Sequence, residues 1–472
     1  MLCRAGIFAI ALSGFFCAEV LADLPQLKVS SDGHYLMQAD GKPFFWLGDT
    51  AWGLLDHPSR DDAFLYLKNR EDKGFTVIQT VVLLWDSMSP RIPSEKQALV
   101  GGDPTKFNEQ FFANADAIID QAQADGMYVA IVPLWFKSYV TPTRMLLNPT
   151  TAENFGKYLG TRWRDKPIIW ILGGDTPGGA SRDPDHTPDQ NVLAISRALA
   201  AGLKEGDGGN HLITYHPTGS IDGQSSSWWF ENESWLDFNG LQTGHFIQNH
   251  NYKLVAADYA LTPAKPVIDL ESGYENITDH LRPASAPDVK RIQASDVRRY
   301  AYLATFAGAA GYTYGNAEIY GFVTATRPTG RFGSGLTWKQ SLDLPAAGQM
   351  QYLRRLIESR PMLERIPDQS MIIGDARETT ERIEAMRASD GSYAFAYSAD
   401  GRPINLKLDA LTGTKLTAWW YSPRDGVAQR IADFAKPDWR EFDPPSDGDG
   451  HDWVLVLDDA AKNFAPPGAE KN

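Results

Sequence analysis

Short apolar runs alternate with longer amphipathic stretches from about residue 43 to 315. The runs cover 44–52, 76–83, 127–135, 168–173, 212–216, 236–243, 266–272 and 311–315. Most are near-continuous in Val, Ile, Leu and aromatic residues, the pattern of strands buried on both faces. The stretches between them read as helices. These are 61–72 with Lys73-Gly74 as its stop, 109–125 with Gly126 at C′, 151–163, a helix opened by Thr187-Pro188, and 289–306. Eight strand–helix alternations predict an α/β fold, a closed parallel (β/α)8 TIM barrel. The rival is an open doubly wound sheet. It usually carries a Gly-rich phosphate loop after its first strand, and Gly48-Asp49-Thr50-Ala51-Trp52-Gly53 is not one.

A last helix, 344–359, ends near Pro361, and the texture then changes. The runs 370–374, 382–388, 393–398, 405–408, 416–422, 428–434 and 453–457 are short and partly alternating. Turn signals such as Asp390-Gly391, Asp400-Gly401 and Asp425-Gly426 separate them. This predicts a smaller all-β sandwich of about 100 residues. The tail from Pro466 reads as disordered. Residues 27–39 with Asp40-Gly41 read as a small hairpin that plugs the barrel bottom or packs on the sandwich.

The first residues resemble an export leader: Arg4, an apolar run from Ile7, and Val20-Leu21-Ala22 as a small-residue cleavage site. Glu19 interrupts the run before the roughly 20 residues that a membrane span needs. The expected layout is a signal peptide at 1–22, a barrel with its hairpin at 23–360, a sandwich at 361–465 and a tail at 466–472. The expected destination is secreted or periplasmic. Both cysteines, Cys3 and Cys17, fall in the leader, so thiolate metal sites, disulfides and a Cys nucleophile are excluded from the mature chain.

With 45 basic and 59 acidic residues the formal charge is −14. Such a surface repels phosphate backbones and speaks against nucleic acid or an anionic membrane as partner. The 14 Trp, 18 Tyr and 22 Phe suit a core, and equally the flat faces of sugars.

In a barrel of this kind, function collects at the C-terminal strand ends. Those ends carry Asp49 and Trp52, Trp85-Asp86, Trp135-Phe136-Lys137, Gly173-Gly174-Asp175, His216, Gln242 and His245, Glu271, and Tyr314. Cleaving a glycosidic bond needs two carboxyl groups facing each other across it. Asp175, after the fourth strand, and Glu271, at the end of the seventh, lie ninety-six positions apart on opposing sides of the mouth. Alternation puts Val267, Asp269 and Glu271 on one face, with Asp269 about 6–7 Å below Glu271 as a structural group. Spacing alone leaves alternatives open. Asp175 also reads as a turn residue and Glu271 as a helix first-turn acid, and Asp49 and Asp86 compete for either role.

The segment Asp40-Gly41-Lys42-Pro43-Phe44-Phe45-Trp46-Leu47-Gly48-Asp49-Thr50-Ala51-Trp52 resembles the opening of the apiosidase-like glycoside hydrolases, family 140. The stretches Ile169–Asp175 and Pro266–Glu275 are similar to that family's catalytic strands. Trp419-Trp420-Tyr421-Ser422-Pro423-Arg424-Asp425-Gly426 resembles the sandwich usually appended there, which carries a legacy label as a collagen-binding domain. The resemblance implies a retaining exo-glycosidase with Asp175 as acid/base and Glu271 as nucleophile. It implies action on plant cell-wall pectic side chains with release of apiose. Glu271 has to stay ionised, so it needs donors, and His216, His245 and Tyr314 are the candidates. Asp49, Gln242, Trp52, Trp85, Trp135 and Trp338 are candidate sugar contacts. Arg327 and Arg331 are expected to hold an acidic sugar beside the cleaved one.

No cofactor or metal is called for, and the partner is an oligosaccharide or polysaccharide. Asp183-Pro184-Asp185-His186 is better explained as surface acidity at a helix start than as a metal site. Two other classes compete. A barrel metallohydrolase needs a His/carboxylate cluster, whereas the chain has nine His and no His-x-His ends the first strand. A non-catalytic glycan- or matrix-binding protein would bind without turnover. A Ser hydrolase would need a Gly-x-Ser-x-Gly elbow between strand and helix, which is lacking.

Overall fold

The computed structural model describes residues 24–141, 144–179, 185–220, 222–327 and 332–469. The expected leader at 1–22 lies outside them. Eight barrel strands follow the apolar runs: β1 (Trp46–Thr50), β2 (Val77–Leu83), β3 (Tyr128–Leu134), β4 (Ile168–Gly173), β5 (Ile213–His216), β6 (Asn239–Gln242), β7 (Val267–Glu271) and β8 (Gly311–Tyr314). Every residue in them is buried. That explains their continuous apolarity, since helices cover one face and the barrel interior the other.

The strands pair in the order β5-β4-β3-β2-β1-β8-β7-β6, all parallel, with the short antiparallel strand Gln224–Ser225 beyond β6. No ladder joins β5 to β6. That seam is closed by Asp237, whose N–H donates to Ile213 O (2.9 Å) and whose Oδ2 accepts from Ile213 N (2.8 Å). Gly240 lets the two strands approach, because a Cβ there would stand 2.5 Å from Tyr215 O.

The surrounding helices are α1 (Arg60–Asp72), α2 (Glu109–Ala124), α3 (Pro149–Arg162), α4 (Gln190–Asp207), α5 (Asn251–Tyr259), α6 (Ala294–Phe306) and α7 (Pro345–Glu358). Two starts differ from the sequence reading. Helix α4 is capped by Asp189, whose side chain accepts from Asn191 N and Val192 N, so Thr187-Pro188 lies outside it. Helix α6 begins at a Gln293/Asp296 capping box, after a left-handed Asp288 that no helix can include. Helices α3 and α4 touch backbone to backbone. A Cβ at Gly156, Gly160, Gly202 or Gly206 would collide with the facing main chain.

The C-terminal domain is a six-stranded antiparallel sheet with a separate two-stranded pair, Ile404–Lys407 with Trp439–Phe442. The edge strand Arg365–Pro367 and the strand Trp439–Phe442 escaped the sequence reading, being short and largely polar or Pro-bearing. Residues 370–374, expected as a strand, hold instead part of the 3-10 turn Gln369–Met371. Alternation along the central strands sorts two cores. Tyr393, Phe395, Tyr397, Val454 and Val456 join the barrel core, while Ala394, Ala396, Leu455 and Leu457 join a second one.

Tyr397 stacks on Tyr302 of α6 at 5.1 Å. Arg298 of α6 grips Asp452 with Nε and Nη2 at 2.8–3.2 Å, both side chains being almost fully buried. The N-terminal hairpin joins in: Tyr35 OH donates to Arg365 O (2.5 Å). The tail expected to be disordered is packed as far as 469. Pro467 and Gly468 are buried, and Gly468 O accepts from Arg355 Nε at 2.9 Å. No described helix is long and apolar enough to cross a membrane.

Candidate active site

The barrel mouth holds a pocket of ≈ 340 Å³. Asp175 and Glu271 both line it, with Trp52, Trp85, Trp135, His245, Tyr274 and Tyr320. One carboxylate oxygen of Asp175, one of Glu271 and a ring nitrogen of His216 lie within 4.8 Å of one another.

Asp175 gets there through an unusual turn. Gly173 (φ +87°), Gly174 (φ +105°) and Asp175 (φ +50°) are three consecutive left-handed residues at the end of β4. Only glycine fits the first two. A Cβ on Gly173 would stand 2.5 Å from His216 O, and one on Gly174 2.7 Å from the Trp135 ring. The carboxylate is held at both ends. Lys137 Nζ donates to Oδ2 and Gln242 Nε2 to Oδ1, each at 2.8 Å.

Glu271 gets there through a bulge. Leu241 pairs with Asp269 but Gln242 with Glu271, so Leu270 is an extra residue in β7. Bulges re-aim side chains, and they gather beside active sites. The strict alternation expected of β7 is therefore broken. Asp269 turns to Thr243 Oγ1 and Asn251 Nδ2 (3.0 Å each), where burial pushes its carboxyl up to about 7. Glu271 meets His216 Nε2 at 3.0 Å and His245 Nε2 at 3.3 Å. Tyr274 N donates to His245 Nδ1 (3.3 Å), which leaves Nε2 to carry the proton toward Glu271. Burial pushes the Glu271 carboxyl up, yet the two histidines beside its oxygens outweigh it and hold the group well below the usual carboxylate range. The Tyr274 hydroxyl accepts from Trp52 Nε1 (3.0 Å) and hydrogen-bonds Glu271.

Other expected sugar contacts lie elsewhere. Asp49 is fully buried below the mouth, its Oδ2 accepting from Arg70 Nε (2.5 Å) and Tyr66 OH (2.6 Å). Tyr314 belongs to the same layer. It donates to Glu275 Oε2 (2.7 Å) rather than to Glu271, and it is not part of the pocket lining. Trp338 is buried against Phe322 at 5.2 Å. Arg327 turns back on its own loop, donating to Phe322 O (3.0 Å) beside Asp56 and Asp86, outside the pocket lining. Asp86 is itself engaged by His57 Nε2 at 3.2 Å. Arg331 lies outside the described residues.

The structure adds Lys137, Ser138, Tyr274, Ile277, Leu281, Tyr320 and Phe332 to the lining. Lys137 and Tyr274 had a signal, standing two residues after Trp135 and three after Glu271. Ser138 is the next residue after Lys137 in the short helix following β3, and Ile277, Leu281, Tyr320 and Phe332 come from irregular loops after β7 and β8 where no periodicity points.

Among the described residues, Asp175, His216 and Glu271 have metal-ligand spacing. Basic side chains already stand against both carboxylates, however. The Lys137 ammonium sits on Asp175, while His216 and His245 sit on Glu271. A metal would have to displace a cation already in place, so the donor set fits a proton-transfer pair better.

The model for the apiosidase-like catalytic domain matches residues 30–364. A second model, "Putative collagen-binding domain of a collagenase", matches 366–458. Among solved structures, a glycoside hydrolase family 5 protein from Bacteroides vulgatus ATCC 8482 is 33% identical. The likeness covers 94% of this chain and 97% of that one, with a TM-score of 0.83. Another solved glycoside hydrolase is also 33% identical over 93% of this chain and 98% of its own, with a TM-score of 0.81. No curated protein matches.

Proposed function

Because the chain belongs to the family of apiosidase-like catalytic domains and is a glycoside hydrolase acting on carbohydrate, we propose that it is a retaining exo-glycosidase of plant cell-wall pectic side chains. Apiose is the sugar we infer it releases. Asp175 is the acid/base and Glu271 the nucleophile. The observation that carries this reading is the pair's oxygen separation, within 4.8 Å. Retaining enzymes hold their carboxyl groups about 5–5.5 Å apart, whereas inverting ones leave about 6.5–9.5 Å for a water.

The chemistry follows from the surroundings. Glu271, kept ionised by His216 and His245, attacks the anomeric carbon from one side. Asp175 protonates the departing oxygen and then, as carboxylate, draws a proton from the water that releases the sugar. Lys137 and Gln242, at its two oxygens, position the Asp175 carboxyl group for this role. Trp52 and Trp135, tilted at 5.1 Å from each other, offer flat apolar faces to the ring. The small volume, walled by loops from most of the strands, supports removal of a terminal sugar rather than cutting within a chain. The leader-like first residues support export to the periplasm or beyond.

A screen of pectic oligosaccharides and aryl glycosides with wild type, Glu271→Gln and Asp175→Ala tests the assignment. Glu271→Gln should be inactive on everything. Asp175→Ala should keep part of its rate on good leaving groups, which need little protonation. Equal loss of rate on all substrates in Asp175→Ala would remove Asp175 from the acid role.

A further inference from the structure

Leu281 is exposed, strained and aimed at the pocket all at once. It lines the site and keeps 38% of its surface accessible, in a molecule with few exposed large apolar side chains. Its backbone is left-handed (φ +50°), and so is that of His280 before it (φ +56°). A bulky residue adopts that conformation only when its surroundings impose it. At Asn276 and Asp288, the other left-handed positions of the same loop, the chain uses the side chains that tolerate it.

The imposition is visible. His280 N donates to His245 O (2.9 Å), Leu281 N to Thr278 O (3.0 Å) and Thr278 Oγ1 to Arg282 O (2.7 Å). Ile247 N donates to Asp279 Oδ1 at 2.9 Å. Arg291 then ties this loop to the next one, its Nη1 reaching Asn276 O (2.6 Å) and Phe332 O (3.1 Å). The effect is to hold Ile277, Leu281 and Phe332 together as an apolar lip from the β7 and β8 loops. It lines the same pocket as Trp135 after β3.

We propose that this lip makes Leu281 a specificity-determining residue, selecting substrates whose sugar beside the cleaved bond carries a methyl-ester or acetyl cap. A bare hydroxyl or carboxylate pressed against these three side chains loses its water and gains no partner. A cap replaces that polar edge with a methyl group, which the lip buries. The inference deepens the glycosidase reading and rests on it.

The test compares native pectic oligosaccharides with the same material after saponification, which strips methyl esters and acetyl groups. Wild type should show kcat/KM about ten-fold or more higher on the native material, the discrimination an apolar pocket typically gives. In Leu281→Asn the ratio should fall to within about two-fold of unity. Asn suits a left-handed backbone, so this variant should melt no lower than wild type. Leu281→Met, which keeps the apolar surface, should keep the preference. Turnover by wild type with no loss on saponification would overturn the inference alone, as would a Leu281→Asn ratio equal to that of wild type. No turnover of any glycoside would overturn the glycosidase reading, and the lip's role with it.

Discussion

Gly174→Ala puts the smallest possible load on the turn that presents Asp175. The added Cβ would stand 2.7 Å from Cε3 and 2.8 Å from Cδ2 of Trp135. It would also have to adopt φ +105°, well outside the left-handed well near +57°. The backbone term costs about 1–3 kcal/mol and the overpacking a further ~1–3 kcal/mol. Relief needs either the indole or the turn to move. Trp135 is 3% exposed and wedged against Trp52 and His216, so the turn is the softer partner. A shift of about 1 Å in a reacting group costs roughly 10²-fold in rate. The variant should therefore melt below wild type and lose about 10²-fold in kcat/KM on substrates with poor leaving groups. On activated aryl glycosides it should lose far less, because the nucleophile is untouched. A melting curve and a leaving-group series read both effects. Wild-type melting together with wild-type rates across the series would show that the turn does not position the acid.

Other expectations follow from the same geometry. His245→Ala removes one of the donors that keep Glu271 ionised, so the acidic limb of kcat/KM should move to higher pH, as a pH–rate profile would reveal. Asp269 binds its proton more tightly folded than unfolded, so its contribution to stability is full below the ordinary carboxylate range and is lost as pH rises toward about 7. Asp269→Asn should abolish that loss, of which about 2–3 kcal/mol falls between pH 5 and pH 8, roughly two pH units at 1.36 kcal/mol each, when urea unfolding is compared at those two values. Asp452→Ala strands the buried Arg298 and should cost the domain junction about 3–5 kcal/mol, read as a lower or split melting transition.

The barrel was legible because its strands are covered on both faces and so read as unbroken apolar runs. Both ends of the Asp175–Glu271 span were legible as residues, but not the devices that bring them together. The three left-handed residues of the β4 turn and the bulge at Leu270 are backbone features, and no periodicity encodes them. Burial misled in the other direction. Asp49, Tyr314 and Trp338 have the chemistry of sugar contacts, yet each is buried outside the pocket lining, on Arg70, Glu275 and Phe322. Lys137 shows the converse. Its role depends on a partner thirty-eight residues away that only the fold brings within 2.8 Å. In the C-terminal sheet the alternating strands were readable, while Arg365–Pro367 and Trp439–Phe442 were too short and polar to register.

The proposed mechanism requires a covalent bond between the sugar and one particular carboxylate. Treating the enzyme with 2-deoxy-2-fluoro glycosides bearing good leaving groups, digesting it and mapping the labelled peptide by mass spectrometry looks for that bond directly. The label should fall on Glu271 and be absent from Glu271→Gln. A turnover-competent enzyme labelled at another residue would contradict the account.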